Sequence, residues 1–251
     1  MAITWSLPSG PVTGPSWRDM VAEACHQLGY EDAELLRMRG SDLQILEYFA
    51  IKKGNFAPLT NWLVRRLDAK DTDLAASRLH TALAALDNCR VFYTTNYDDF
   101  LERSIELRGR KAKAITSERD VSFTENLVQV VKFHGDFNAP DRMVFSENHY
   151  YQRMKLDSPL DLKFRSDLLN RAALFVGYSF TDLNIGLLFE QMNSALSTLP
   201  DSFTGKRAYI VAHNPSDFEY SLFDKRNITI IPTSGDDRTK ATSEVLEDLV
   251  R

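Results

Sequence analysis

The chain has 251 residues, 43% of them hydrophobic, which is enough for one sizeable α/β domain or a domain with a small helical addition. A formal net charge of -5 argues against a protein built on non-specific nucleic-acid affinity, which comes from neutralising phosphates with Lys and Arg. Cys25 and Cys89 are too few for a disulfide framework or a four-cysteine zinc site, and no apolar run reaches the roughly 18 residues a bilayer span needs. With no basic-then-apolar leader pattern at Met1, the expectation is a cytoplasmic protein that binds neither membrane nor nucleic acid.

The first thirteen residues are rich in Pro, Gly, Ser and Thr, which predicts loop with at most a scrap of strand around Ile3 to Trp5. Ser16 followed by Asp19 predicts a capped helix, with Trp17, Met20, Val21, Ala24, Cys25 and Leu28 at helical spacing until Gly29. Helical patterns broken at Gly40, Gly54 and Pro58 predict a helical cap over about residues 30–70. A helix carrying Leu74, Leu79, Leu83 and Leu86 then leads into a β-branched run at Val91. From there strands and helices alternate: strand Val91 to Thr95, helix Phe100 to Leu107, strand Leu127 to Phe133, helix Leu160 to Asn170, strand Ala173 to Val176, helix Leu183 to Leu196, and strands Ala208 to Ala212 and Ile228 to Ile231, the last closed by Pro232. This predicts an α/β, Rossmann-like, mostly parallel sheet with helices on both faces, in a single domain over 1–251 whose nucleotide-binding core is 14–29 and 74–251. The basic knot Arg108 to Lys113 reads as a solvated loop before a strand.

Three apolar runs end in polar residues: Thr94-Thr95-Asn96-Tyr97-Asp98, Lys132-Phe133-His134-Gly135 and Phe175-Val176-Gly177-Tyr178-Ser179-Phe180-Thr181-Asp182. In open α/β sheets a ligand lies beyond the carboxyl ends of the strands, so Asn96, Asp98, His134 and Ser179 are expected in one crevice. Each has a plain structural alternative. His134 could cap a turn or fill a core, Asn96 could cap the next helix, and Asp98 could face that helix's dipole. Asp182 reads as the N-cap of the helix at Leu183, Tyr178 and Trp17 as packing, and His26 and His80 as surface or boundary residues. No metal-ligand spacing is found, and Ser179 lacks a nucleophile-elbow motif.

In their order and intervals these three motifs resemble the bacterial sirtuin-like NAD hydrolases, relatives of the sirtuin deacylases. Arg142 to Tyr150 is similar to the strand and Tyr-bearing turn that follow the His-Gly pair there, and Gly14-Pro15-Ser16-Trp17-Arg18 to the run that follows that family's Gly-Ala-Gly-x-Ser loop. The loop itself is not found in this sequence: the chain starts inside the family domain or the loop has been replaced.

The resemblance implies that NAD is the substrate, without a metal, and that the nicotinamide–ribose bond is hydrolysed in bacterial, anti-phage defence. His134 would be the general base and Asn96 would orient the attacking water or a ribose hydroxyl, while Asp98 would hold the nicotinamide carboxamide. Thr95, Gly135, Gly177, Ser179 and Asn214 would line the nucleotide, and control would come from self-association or a protein partner in trans. A non-catalytic module that binds a nucleotide or a partner stands beside this, as does an NAD-dependent protein deacylase; the missing four-cysteine zinc module weighs against the last.

Overall fold

A computed structural model describes residues 4–7, 10–121, 126–153, 158–178, 186, 190 and 208–250. It is an α/β protein in which parallel sheets are flanked by helices in a Rossmann-like manner. The chain divides into two compact units, residues 1–152 and 153–251.

The first unit opens with an antiparallel pair, β1 (Thr4–Leu7) and β2 (Gly10–Thr13), in register from Thr4–Thr13 to Leu7–Gly10. Loop was expected here from the Pro and Gly content. Pairing overrides local propensity, and Pro11 is admitted because a two-stranded ribbon leaves outward N–H positions unbonded. Helix α1 (Trp17–Gln27) starts on the predicted capping box, with Ser16 and Asp19 bonding reciprocally. It buries Met20, Val21, Ala24 and Cys25. Trp17, expected in that stripe, is instead 36% exposed; as the first helical residue it lies at the end of the stripe.

The predicted helical cap consists of α2 (Glu34–Arg37), α3 (Asp42–Lys53) and α4 (Ala57–Arg66). Gly54 ends α3 at φ 79°, and Pro58 starts α4 rather than interrupting a helix. Ile45, Leu46, Phe49, Leu59 and Leu63 pack with the buried face of α1, and Met143 and Phe145 complete the same cluster. The single helix expected before Val91 is two, α5 (Asp71–Ala76) and α6 (Arg78–Ala84), because Ser77 is extended at ψ 103°. His80, read as a boundary residue, is 4% exposed, bonded to Ser77 Oγ and edge-on to Phe100.

The unit's parallel sheet has the order β3 (Val91–Thr94), β5 (Val128–Lys132), β4 (Ala112–Ile115). Helix α7 (Phe100–Leu107) joins β3 to β4, with α8 (Glu118–Val121) after β4. Central β5 is the most buried of the three, with four of its five residues out of solvent, as a strand flanked on both sides requires. Arg110 is not solvated: its guanidinium donates to the carbonyls of Ala84, Leu86, Asp87 and Cys89, clamping the turn into β3. Among the described residues, the segment expected to be a strand after Arg142 pairs with no strand. A 3-10 turn at Pro140–Arg142 leads into buried Met143, Val144 and Phe145, and helix α9 (Glu147–Arg153) follows.

The second unit contains α10 (Pro159–Asn170) and a parallel sheet of β6 (Ala173–Phe175), β7 (Ala208–His213) and β8 (Ile228–Thr233), with β7 central. Pro232 lies inside β8 opposite Ala212 rather than closing it; among the described residues β8 is an edge strand, the position where a strand tolerates proline. Helices α11 (Asp217–Lys225) and α12 (Arg238–Asp248), capped by Ser216 and Asp237, complete the helix-covered sheet. Of the helix expected at Leu183 to Leu196, residues 186 and 190 are described, both helical, and its cap Asp182 falls outside the described residues.

Candidate active site at the ends of two adjacent strands

Strands β3 and β5 run side by side in the same direction, with Thr94 opposite Lys132. The ladder continues one step further, since Phe133 N–H donates to Thr94 O at 2.9 Å. Asn96 and His134 therefore each follow a paired residue by two positions, at the same end of neighbouring strands spaced by about 4.8 Å. This is the end at which parallel α/β sheets bind ligands.

Beyond β3 the chain turns sharply. Thr94 Oγ1 accepts the Asn96 N–H at 3.0 Å, and Asp98 Oδ1 accepts the N–H of Phe100, the first residue of α7, at 3.2 Å. Asp98 thus accepts from the first helical N–H although Asp99 holds the N-cap position considered for Asn96, whose own backbone is held by the strand-end threonine. Thr95 lies between them, half-buried. Burial pushes the Asp98 carboxyl above the ordinary carboxylate range, with Lys132 opposing the shift.

Beyond β5, His134 is 5% exposed. Its carbonyl accepts the Val144 N–H at 2.9 Å, and its ring meets Tyr150 edge-on, with centroids 5.4 Å apart. Gly135 has φ 88°, and a Cβ there would lie 2.7 Å from Arg142 O and 2.8 Å from Met143 Cα. Both the backbone conformation and the close passage of residues 142–143 demand glycine.

The two loops meet at one residue. Tyr97 Oη donates to Val144 O at 2.7 Å while Val144 N–H bonds His134 O. The Tyr97 ring lies 5.0 Å from Phe145 and 6.1 Å from Phe137. Behind this aromatic layer, α3 braces α9: Gln44 Nε2 reaches Glu147 at 3.2 Å, and Asn148 N–H donates to Glu47 at 3.1 Å.

Sequence reasoning passed over Lys132, although it stands inside a quoted motif. Its ammonium is buried, donates to the backbone carbonyl of Asp98 and forms ion pairs with Glu102 Oε1 at 2.9 Å and Asp136 Oδ2 at 3.4 Å. Burial also pushes Glu102 upward, against the pull of Lys132. The available signal was a lysine closing an apolar run, with an aspartate four residues on.

Asn96, Asp98, His134 and Gly135 are brought together in the first unit. Gly177 (φ 68°) follows β6 and Asn214 (φ 48°) follows β7 in the second, both at strand carboxyl ends. Asn214 N–H donates to Thr233 O at 2.8 Å. Ser179 lies outside the described residues.

A groove of about 650 Å³ elsewhere in the first unit runs between α1 and α4, where Asp19, Glu23, Trp62 and Arg66 line it. None of the predicted site residues does. Among the described residues no cluster of three His, Cys, Asp or Glu side chains could hold a metal, and no helix is long and apolar enough to cross a membrane.

Residues 90–231 match the family described as the SIR2-like domain. Similar proteins include the NAD(+) hydrolase ThsA of Acinetobacter baumannii, 29% identical over 115 residues, and that of Bacillus cereus, 24% identical over 183. Defense-associated sirtuin 2 of Bacillus subtilis is 24% identical over 155 residues. These alignments cover 45%, 72% and 61% of this chain but only 24%, 37% and 15% of the relatives. The chain thus spans well under half the length of each.

Proposed function

We propose, on the premise that this chain belongs to the SIR2-like domain family, that it hydrolyses NAD at the nicotinamide–ribose bond. The reading is supported most by the position of Asn96 and His134 just beyond the ends of adjacent parallel strands, in loops that Tyr97 and His134 join through Val144. The names of the relatives agree with it. Breaking the bond between ribose C1′ and the pyridinium nitrogen returns the electron pair to that nitrogen and leaves an oxocarbenium-like ribose. Water then adds at C1′ and gives up a proton, so the products are nicotinamide, ADP-ribose and H⁺.

In this reading His134 takes the proton, imidazole being the side chain most often used as a general base. Asn96 orients the water or a ribose hydroxyl, and Asp98 holds the leaving carboxamide. The dry, aromatic surroundings of His134 disfavour competing nucleophiles. Thr95, Gly135, Gly177, Ser179 and Asn214 are proposed as nucleotide contacts, within one sirtuin-like domain over 1–251 that includes the helical cap. The proposed setting is the bacterial cytoplasm, with NAD depletion serving defence under control by self-association or a partner protein.

Purified protein incubated with NAD should release nicotinamide. His134→Ala should lower the rate by about 10²–10⁴-fold, the usual contribution of a general base; an equal rate in the variant would end this reading. One observation favours a second, non-catalytic module that binds a nucleotide or partner: His134 is almost fully covered. Tight binding of NAD with no release of nicotinamide would establish that alternative.

A further inference from the structure

The Lys132 side chain is wholly out of solvent, at 0% exposure. A buried ion pair is a weak source of stability, because desolvating the charges offsets most of their attraction; an apolar residue of similar volume often serves as well or better. What an apolar residue cannot do is hold several separate acceptors at fixed positions. The acceptors of Lys132 come from three places: the Asp98 carbonyl in the loop after β3, Glu102 on α7, and Asp136 directly after the His134-Gly135 turn. Asp136 is anchored in turn, since its Oδ1 accepts the Asn138 N–H at 2.7 Å.

The loop that carries Asn96 is therefore tied to the turn that carries His134 at two points. One is the Tyr97–Val144–His134 chain of hydrogen bonds, and the other is the ammonium of Lys132. The first sets the backbones on the Val144 side. The second fixes the flanking residues, Asp98 and Asp136, two positions beyond Asn96 and His134 respectively.

We propose that Lys132 is a positioning residue that sets the loop of Asn96 against the turn of His134 through its hydrogen bond to the Asp98 carbonyl and its ion pair with the Asp136 carboxylate. The proposal rests on the NAD-cleaving reading above for its functional meaning. Its structural content, that the ammonium aligns these two side chains, stands apart from turnover.

The test uses the full chain in three forms: wild type, the double variant Lys132→Met with Glu102→Met, and Asp136→Asn. The double variant removes the buried ion and its principal partner together, so that of the three charges Asp136 alone remains, its Oδ1 still accepting the Asn138 N–H. Three quantities are read: the urea midpoint, kcat and KM for nicotinamide release from NAD, and the NMR signals of the His134 imidazole and the Asn96 carboxamide. The expected result is a folded double variant whose kcat falls by about 10²-fold, the size of effect that misplacing a reacting group by an ångström produces, with little change in KM and with both NMR signals displaced. A folded double variant with wild-type kcat and unmoved signals overturns the proposal.

If the wild type releases no nicotinamide, the cleavage reading fails by itself and the NMR arm decides this one: displaced signals support it and unmoved signals overturn it. If the double variant does not fold, the same readouts on Asp136→Asn, which keeps Lys132 paired to Glu102, decide in the same sense.

Discussion

At Asp98, stability and the proposed function pull in opposite directions. Burial raises its carboxyl pKa, so its contribution to stability is complete below the ordinary carboxylate range and is lost as pH rises through the folded value. Asp98→Asn keeps the acceptor for Phe100 N–H and removes the charge, so its urea midpoint at pH 7 should equal or exceed that of wild type while nicotinamide release falls. A variant that loses stability at pH 7 would show that the charge supports the fold. Gly135→Ala meets both a φ of 88° and an oxygen at 2.7 Å, and should cost about 1–3 kcal/mol in urea unfolding. Lys132→Met alone leaves Glu102 and Asp136 buried without their cation and should cost about 3–5 kcal/mol. Single residues were unevenly legible in the sequence. Asn96 and His134 stood out because each ends an apolar run with a polar side chain. The Lys132 network was hidden because its partners come from 34 residues upstream and from the next helix, and the shared contact with Val144 depends on a segment that has no strand or helix pattern of its own.

At the scale of elements, local chemistry decided most of what was readable. Ser16 with Asp19, Ser41 with Gln44, Ser158 with Asp161 and Ser216 with Glu219 all form capping boxes, and each such cap contributes about 1 kcal/mol. Five of the parallel strands were visible as apolar runs, whereas β4 (Ala112–Ile115) begins inside the basic knot read as a solvated loop. Elements that depend on distant partners were misread: the β1–β2 pair exists through its own cross-strand bonds despite Pro and Gly, and the break at Ser77 splits a pattern that looks continuous. Arg110 belongs with these, since its role comes from the carbonyls it finds 21 to 26 residues upstream. Replacing it by Met should leave those acceptors unmet and cost about 1–3 kcal/mol. A urea midpoint unchanged in Arg110→Met would show that water satisfies the turn equally well.

At the scale of the whole molecule, pH acts through groups of opposite sign. Burial lowers the His80 pKa to about 4, so the neutral imidazole is part of the native state. Its contribution is complete above the ordinary histidine pKa near 6.5 and is lost as pH falls from there toward about 4; the shift corresponds to about 3 kcal/mol. The raised carboxyls of Asp98 and Glu102 act the other way, favouring the fold as pH falls. Unfolding midpoints measured at pH 7 and pH 5 should differ less in His80→Leu than in wild type, and an equal difference in both would remove His80 from the acid response. The fold class and the family were legible at this scale because three motifs occur in order along most of the chain. The role of the α1–α4 groove was not, since its lining residues belong to helices read only as core.

The central claim is that the nicotinamide ribose of NAD lies where the chain ends of β3 and β5 bring Asn96 and His134 together. A crystal structure of the His134→Ala variant soaked with NAD tests this most directly. The account predicts uncleaved dinucleotide with its nicotinamide-side ribose beside the Asn96 carboxamide and the space vacated by the imidazole. NAD seated instead in the groove between α1 and α4, with Asn96 untouched, would contradict it.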